Sequence, residues 1–142
     1  MDAIDLRDGA GDSASAGVRV VVVDDTEHVR RVVVEMLRLD GFDIVGEAAD
    51  GQQAVERTLE LAPHVVVMDL QMPVLDGLDA TRQIRAVRPA QQVVLYTAYL
   101  DATVEAAARA AGVAACLGKV DGLPRLAQEL SRLTLALARG TG

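Results

Sequence analysis

The sequence has few aromatic residues, one cysteine and one lysine. It contains no Trp, one Phe and two Tyr, so a folded core has to be built from Val, Leu, Ile and Ala. The single cysteine, Cys116, excludes a framework of disulfides within the chain and is typical of a reducing compartment. No apolar run approaches the roughly 20 residues that a membrane-spanning helix needs, and the N-terminus lacks the pattern of a signal peptide. We therefore expect a soluble, cytoplasmic protein that does not associate with a membrane.

Positive charge is also scarce. The chain has 14 basic and 21 acidic residues, which gives a formal net charge of −7. This balance argues against nucleic-acid binding by the chain alone, because contacts to phosphates need a basic face. Every basic residue except Lys119 is an arginine, so the position of that one lysine is informative.

The length of 142 residues is enough for one domain with its own hydrophobic core. Residues 1–17 are rich in Gly, Ala, Ser and Asp and show no periodicity, which predicts a disordered tail. We place the domain at residues 18–139 and a short second tail at residues 140–142.

Short apolar runs alternate with helical patterns along the domain. The predicted strands are residues 18–23, 42–48, 64–69, 92–97 and 113–118. The predicted helices are residues 27–39, 52–61, 77–87, 102–111 and 124–138. The expected helix N-caps are Thr26, Asp50, Asp76, Asp101 and Asp121. Five strands of nearly continuous Val, each followed by a helix, predict an α/β fold with a doubly wound parallel sheet that is buried on both faces.

In such sheets, ligands bind outside the carboxyl ends of the strands. Strand 1 is followed by Asp24 and Asp25, strand 3 by Asp69, strand 4 ends on Thr97, and strand 5 is followed by Lys119. Strand 2 ends without an obvious chemical group. Taken singly, these residues have ordinary explanations, such as a helix cap for an aspartate or a solvated surface charge for a lysine.

Together, the strand-end residues predict a phosphoryl-transfer site. Three carboxylates that lie close together repel one another unless a cation shares the site, and Mg²⁺ prefers such oxygen ligands. Asp69 is then the candidate nucleophile, and Lys119 and the cation stabilise charge on an incoming phosphoryl group. Thr97 is placed to hydrogen-bond a phosphoryl oxygen.

Four segments carry a family resemblance. They are VVVVDDTEHVRRVVVEML, VVVMDLQMPVLDGLDATRQIR, VVLYTA and CLGKVDGL. The second contains the specific pattern D-x-x-M-P-x-x-D-G, here formed by Asp69, Met72, Pro73, Asp76 and Gly77. Over about residues 19–138 the chain resembles the receiver domain of bacterial two-component response regulators, which implies a flavodoxin-like (βα)₅ fold with strand order 2-1-3-4-5.

The resemblance also implies roles for the residues. Asp69 corresponds to the phosphoacceptor, and Thr97 and Lys119 correspond to the switch hydroxyl and the phosphate-contacting lysine. Asp24 and Asp25 correspond to the acidic pair that holds Mg²⁺, and the third ligand from the protein is the backbone carbonyl of Gln71. Of the acidic pair, we expect Asp25 to touch the ion directly.

The family further implies partners and an output. We expect a histidine kinase or a phosphotransfer protein as the phosphoryl donor, and a rearrangement of the face formed by helix 4, strand 5 and helix 5. The same face is a candidate for homodimerisation. Beyond its own phosphorylation and dephosphorylation, we expect no enzymatic activity.

Two positions depart from the usual receiver pattern. Val120 follows the lysine where many receivers have Pro, which favours the subgroup linked to a helix-turn-helix output for transcription regulation. The chain is then either a stand-alone receiver or one separated from such an output domain. Cys116 stands where receivers usually have Tyr or Phe, and we predict that it packs in the core as a small apolar residue.

Two other functions stay open at this point. A receiver-like binding module that is never phosphorylated is consistent with Cys116, since cysteine cannot replace the motion of the aromatic ring. A haloacid-dehalogenase-like phosphatase also uses an aspartate nucleophile with Mg²⁺ and a lysine. Its signature, however, places the nucleophile two residues before a second Asp at strand 1, and VVVVDDT lacks that spacing.

Overall fold

The computed structural model describes residues 17–135, in which strands and helices alternate. The strands are β1 (Arg19–Val23), β2 (Asp43–Ala48), β3 (Val65–Met68), β4 (Gln92–Thr97) and β5 (Ala115–Gly118). The helices are α1 (Glu27–Leu39), α2 (Gly51–Leu61), α3 (Gly77–Val87), α4 (Ala102–Ala111) and α5 (Leu123–Leu133). A 3₁₀ turn, Lys119–Asp121, leads from β5 to α5.

The strands form one sheet in the order β2-β1-β3-β4-β5, and all neighbouring pairs are parallel. The predicted fold class and strand order are therefore confirmed. Since the strands run in one direction, their carboxyl ends lie along one edge, and β1 and β3 are neighbours at its centre.

Alternating valines fill two cores, one on each face of the sheet. In β1, Val20 and Val22 belong to one core, and Val21 and Val23 belong to the other. This alternation follows from the two-residue period of a strand. Both faces are apolar because both are covered by helices, which explains why the strands read as continuous valine runs.

Each core is closed by the apolar stripe of two helices. The core on one face includes Leu37 of α1 with Leu126 and Leu130 of α5, while the opposite core includes Ala54 of α2 and Ile84 of α3. Complete burial of such leucine and isoleucine side chains stabilises the fold by roughly 1.5–3 kcal/mol each.

The helix starts agree in part with the predicted caps. The side chains of Asp50, Asp76 and Asp101 each accept a hydrogen bond from the backbone N–H three residues later. Thr26 is the N-cap of α1, but its side chain makes no capping bond. The prediction for Asp121 was wrong, because α5 begins after Gly122, and Asp121 lies in the 3₁₀ turn instead.

The ends of the chain are only partly described. Helix α5 is described from Leu123 to Leu133, and its predicted end at residue 138 lies outside the described residues. Residues 1–16 and 136–142 lie outside the described residues, so the predicted tails and the outer limit of the domain stay predictions. Within residues 17–135, no helix has the length and apolar character needed to cross a membrane.

Candidate functional site

Asp24 and Asp25 follow β1 at the centre of the sheet edge. Asp24 is buried, and its Oδ1 accepts a hydrogen bond of 2.9 Å from the backbone N–H of Thr26. This bond holds the carboxylate in a local turn before α1. Asp25 is exposed. The doubled carboxylate of the sequence is therefore one buried and one exposed group.

Asp69 follows β3 and lies beside Asp24. Its backbone N–H donates to the carbonyl of Val23 at 3.1 Å, which extends the ladder between β1 and β3 by one bond. Its side chain is 11% exposed, and Oδ1 accepts a hydrogen bond of 2.8 Å from the backbone N–H of Leu70. The carboxylate is thus fixed at the sheet edge and still reaches solvent.

Lys119 bridges the two buried carboxylates. Its Nζ donates to Oδ2 of Asp24 at 2.7 Å and to Oδ2 of Asp69 at 3.3 Å. Burial acts to lower the pKa of Lys119, but its hydrogen bond to Asp24 and the charge of Asp69 raise that pKa overall. The lysine therefore stays charged between its two partners.

Burial raises the pKa of Asp69, and the nearby charge of Asp24 raises it further. Lys119 and the hydrogen bond from Leu70 act in the opposite direction without cancelling the rise. The folded protein thus holds Asp69 in an environment that disfavours its negative charge.

The acidic residues form a group that fits a divalent cation. Asp24, Asp25 and Asp69 each offer one carboxylate oxygen, and these oxygens lie within 4.8 Å of one another. One ammonium for three carboxylates leaves an excess of negative charge. A donor set made only of oxygen suits Mg²⁺ in preference to softer metals.

Thr97 ends β4 next to the last residue of β5. Its side chain is fully buried, and its Oγ1 accepts a hydrogen bond of 3.1 Å from the backbone N–H of Tyr99. Since the hydroxyl acts as an acceptor there, its proton stays available for another partner. Ala98 and Tyr99 that follow are exposed.

The loop after Asp69 is held close to the site by a glycine. A Cβ built on Gly77 would lie 2.2 Å from the backbone oxygen of Asp69, so only glycine allows this approach. Gly77 also donates its N–H to the carbonyl of Leu70 at 2.8 Å. Gln71 lies in this loop and is exposed, and its role as a carbonyl ligand stays a prediction.

The same loop contains a strained turn. The backbone N–H of Leu75 donates to the carbonyl of Pro73 at 2.7 Å, which closes a three-residue turn around Val74. Val74 has a φ of 71°, a value that β-branched residues rarely adopt, and its side chain is 78% exposed.

The prediction for Cys116 was wrong. Its side chain is only partly buried and does not join either core. It lines a cavity of about 210 Å³ together with Glu105 and Arg109 of α4. The neighbouring Leu117 is the residue of β5 that faces the core, so the strand alternation turns Cys116 toward α4. Burial and the charge of Glu105 raise the pKa of the thiol.

One pair near the site was missed from the sequence. Arg30 of α1 donates from Nη1 to the backbone carbonyl of Asp24 at 2.7 Å, and from Nε to Oε1 of Glu47 at 3.0 Å. Glu47 lies near the carboxyl end of β2, the strand that we expected to carry no chemical group. The acidic residue at that strand end was the signal in the sequence that could have indicated it.

Comparison with known proteins agrees with this geometry. The chain matches the model of the response regulator receiver domain over residues 20–131. The transcriptional regulatory protein PdtaR of Mycobacterium tuberculosis is 45% identical over 101 residues, which cover 71% of this chain and 49% of that protein. Chemotaxis protein CheY of Thermotoga maritima is 35% identical over 82 residues, which cover 58% of this chain and 68% of that protein.

Among solved structures, the receiver domain of the response regulator NarL from Mycobacterium tuberculosis superimposes with a TM-score of 0.75 at 32% identity. The match covers 88% of this chain and 98% of that structure. The chain spans about half the length of PdtaR (49%), so the comparison concerns the receiver part of that relative. The match to the family model extends over most of the sequence, and we conclude that the chain belongs to the receiver-domain family of response regulators.

Proposed function

We propose that this domain is a phosphorylation-dependent signalling switch in which Asp69 accepts a phosphoryl group, with Mg²⁺ as cofactor. The observation that carries the proposal is the group of three carboxylates within 4.8 Å, two of which are bonded to the only lysine of the chain. A structural ion pair needs one carboxylate for one ammonium. The surplus of acidic groups at an accessible sheet edge favours a site for a cation and a phosphoryl group.

The residues that would hold Mg²⁺ are Asp24, Asp25, Asp69 and the backbone carbonyl of Gln71. Both carboxylate oxygens of Asp24 accept hydrogen bonds, from Thr26 and from Lys119. Among residues 17–135, no hydrogen bond or ion pair engages the carboxylate of Asp25, which supports its role as the direct ligand. When bound, the ion would neutralise negative charge on the acidic group and on the phosphoryl oxygens.

In the transfer step, one carboxylate oxygen of Asp69 forms a bond to phosphorus. The bond between phosphorus and the donor nitrogen breaks, and the nitrogen keeps the electron pair. Leu70 orients the nucleophile through its N–H, and Lys119 is close enough to bind a phosphoryl oxygen. Thr97 donates its hydroxyl proton to another phosphoryl oxygen, and the small side chain of Ala98 leaves access for the group.

The expected response lies in α4, β5 and α5. Thr97 pairs with Gly118 of β5 in the sheet, and Lys119 opens the turn that leads to α5. A shift of either side chain toward a phosphoryl group therefore acts first on β5 and its flanking helices. Homodimerisation through this face and control of transcription through a linked output domain belong to the same proposal. The chain itself is not expected to bind nucleic acid.

We expect the phosphoryl donor to be a histidine kinase or a phosphotransfer protein of the cytoplasm. A groove of about 400 Å³ lies next to Lys119, between α1 and the start of α5. Its lining residues are His28, Val29, Val32, Val33, Tyr96, Lys119, Gly122 and Leu123. A mostly apolar groove beside Lys119, which bonds Asp69 at 3.3 Å, suits a donor helix that presents its histidine to Asp69.

The test is phosphorylation by a small donor. Wild-type protein is incubated with acetyl phosphate with and without Mg²⁺, and intact mass is measured. We expect one phosphoryl adduct that requires Mg²⁺, is removed by hydroxylamine as an acyl phosphate is, and is absent in Asp69→Asn. The control Asp43→Asn removes an exposed carboxylate at the start of β2 and should leave the adduct unchanged.

Two outcomes would favour the alternatives. Continuous release of phosphate without an adduct would indicate a phosphatase, and no reaction with any phosphodonor or with beryllofluoride would indicate a binding module.

A further inference from the structure

Arg30 ties three elements together beside the acidic residues. It projects from α1, and its side chain is 17% exposed. One guanidinium nitrogen, Nη1, donates to the backbone carbonyl of Asp24 at 2.7 Å. A second, Nε, donates to Glu47 near the end of β2 at 3.0 Å. The planar guanidinium thus joins the turn after β1 to the neighbouring strand.

An irregularity in β2 places Glu47 where Arg30 can reach it. In the ladder with β1, Val20 pairs with Ile44 but Val21 pairs with Gly46, so one residue of β2 is skipped. Beyond this bulge the side chains exchange faces. Ile44 packs in the core under α1, but Ala48, four residues later, packs in the opposite core.

Without the bulge, the two-residue period of the strand would turn Glu47 toward the face of α2, away from Arg30. Bulges commonly redirect a side chain near a functional site. The contact between Glu47 and Arg30 therefore depends on a specific backbone feature as well as on two flexible side chains.

Arg30 bonds the backbone carbonyl of Asp24, whereas the other contacts bond its carboxylate and its backbone N–H. Thr26 and Lys119 bond the two carboxylate oxygens of Asp24, and the N–H of Asp24 donates to Ala48 at 3.1 Å. The carbonyl is the group that links Asp24 to Asp25. Holding this carbonyl fixes the direction in which the exposed carboxylate of Asp25 leaves the turn.

We propose that Arg30, oriented by Glu47, is a positioning residue that holds the turn between β1 and α1 in the geometry that binds Mg²⁺. The inference rests on the proposed function, because it assigns Arg30 a role in preparing the acidic pair for the cation. Residues that orient metal ligands without touching the metal typically change metal affinity by 10–100-fold when they are replaced.

Simple electrostatics predicts the opposite effect. A guanidinium next to the acidic group repels a divalent cation, so its removal by Arg30→Met should tighten Mg²⁺ binding if charge alone matters. If Arg30 positions the turn, the same substitution should weaken Mg²⁺ binding. The direction of the change therefore separates the two explanations.

The experiment is a Mg²⁺ titration of the full chain, followed by the amide NMR shifts of residues around the site. The variants are Arg30→Met, which keeps a long apolar stem, and Glu47→Gln, which keeps the side-chain shape and removes the charge that orients Arg30. The matched control is Arg31→Met. Arg31 is the next residue of α1, is 63% exposed and pairs with Glu27 on the surface.

We expect Arg30→Met to raise the Mg²⁺ dissociation constant by about tenfold and Glu47→Gln to raise it by a smaller factor. Arg31→Met should stay within twofold of wild type. At saturating Mg²⁺, phosphorylation of Arg30→Met by acetyl phosphate should return to the wild-type rate, since the phosphoacceptor and Lys119 are intact. A residue needed only for folding would not show such rescue.

Failure of the inference and failure of the proposed function give different results. If wild-type protein binds Mg²⁺ and forms the Asp69 adduct, but Arg30→Met binds Mg²⁺ equally well or more tightly, the inference about Arg30 is wrong and the function stands. A rate deficit that persists at saturating Mg²⁺ also overturns the inference. If wild-type protein neither binds Mg²⁺ nor forms an adduct, the proposed function itself fails.

Discussion

The acidic site should make the Mg²⁺-free protein less stable than it would be without its central carboxylate. Asp69→Asn keeps the size and the acceptor oxygen of the side chain and removes its charge. The amide can still accept a hydrogen bond from Leu70, and Lys119 keeps its shorter bond to Asp24, at 2.7 Å. We therefore expect Asp69→Asn to raise the free energy of unfolding when no divalent cation is present.

The magnitude follows from the distances. With an effective dielectric constant of about 20, two carboxylate oxygens at 4.8 Å, the limit within which the oxygens of this group lie, repel by about 3.5 kcal/mol. Lys119, at 3.3 Å, attracts Asp69 by about 5 kcal/mol on the same scale. The exposed Asp25 adds a further repulsion, which solvent weakens. The attraction and the repulsions that act on the charge of Asp69 therefore nearly cancel. The cost of burying the carboxylate then dominates.

Burying a charged group with partly satisfied hydrogen bonds costs on the order of 1–3 kcal/mol. We expect a gain of about 1–2 kcal/mol for Asp69→Asn, which corresponds to a rise in Tm of about 3–6 °C for a domain of this size. Mg²⁺ at ten times its dissociation constant should stabilise the wild-type protein by about 1.4 kcal/mol and the variant by less. The advantage of Asp69→Asn in free energy of unfolding should therefore become smaller when Mg²⁺ is present.

The difference should also depend on pH. Burial raises the pKa of Asp69 above its unfolded value of 3.8, so the folded chain binds this proton more tightly than the unfolded chain does. The stability that this group contributes is fully present below the unfolded pKa and is lost as pH rises through the folded pKa. The advantage of Asp69→Asn should thus be small in acid and grow toward neutral pH.

The assay is urea unfolding followed by circular dichroism, in EDTA and in Mg²⁺, at several pH values. Asp43→Asn serves as the control for loss of one exposed carboxylate. The reasoning is refuted if Asp69→Asn is less stable than wild type in EDTA, or if its difference from wild type is the same at every pH.

Three further predictions concern the surroundings of the site. Val74→Gly should raise the free energy of unfolding in urea by about 1 kcal/mol, because a φ of 71° strains valine; an unchanged or lower free energy would contradict this. Gly77→Ala should lower the free energy of unfolding by about 1–3 kcal/mol, because its Cβ would lie 2.2 Å from the Asp69 carbonyl oxygen; wild-type stability in urea would argue against that contact. Cys116 should react with a disulfide reagent at neutral pH more slowly than free glutathione, and faster as pH rises, because the pKa of its thiol is raised. A reaction as fast as that of glutathione at neutral pH would contradict the raised pKa.

Much of the fold could be predicted because its determinants are local. The valine runs, the helix periodicity and the capping aspartates each depend on residues within one element, and several boundaries agree with the structure. The bulge in β2 could not be predicted in the same way. Val45 is partly buried, and Gly46 has no side chain to mark a face, so the sequence offers no sign that the alternation changes there.

In the candidate site, too, some features could be predicted from the sequence and others could not. The strand-end residues could be located because parallel strands bring their carboxyl ends to one edge, whatever the details of packing. The contact of Arg30 with Glu47 spans 17 positions and depends on the bulge, so the acidic residue at the end of β2 could draw attention to that position but could not identify Arg30 as its partner. Cys116 was misplaced because core packing was assumed for a residue whose strand alternation faces α4. The residues of that helix that line the cavity beside Cys116 are Glu105 and Arg109, so the thiol faces charged side chains and not an apolar core.

Lys119 connects the charge balance of the site to the output that we propose. Its ammonium is shared between Asp24 and Asp69, and its backbone begins the turn that leads to α5. A phosphoryl group on Asp69 would compete with Asp24 for this ammonium, so we expect both bonds of Lys119 to change. Gly118, just before the lysine, donates to Asp121 at the end of the same turn at 3.3 Å and pairs with Thr97 in the sheet. The two residues expected to follow the phosphoryl group therefore act on adjacent positions of one strand end. This adjacency explains why a change confined to Asp69 should be felt first at β5 and α5, and why α2 and α3, on the opposite core, should stay in place.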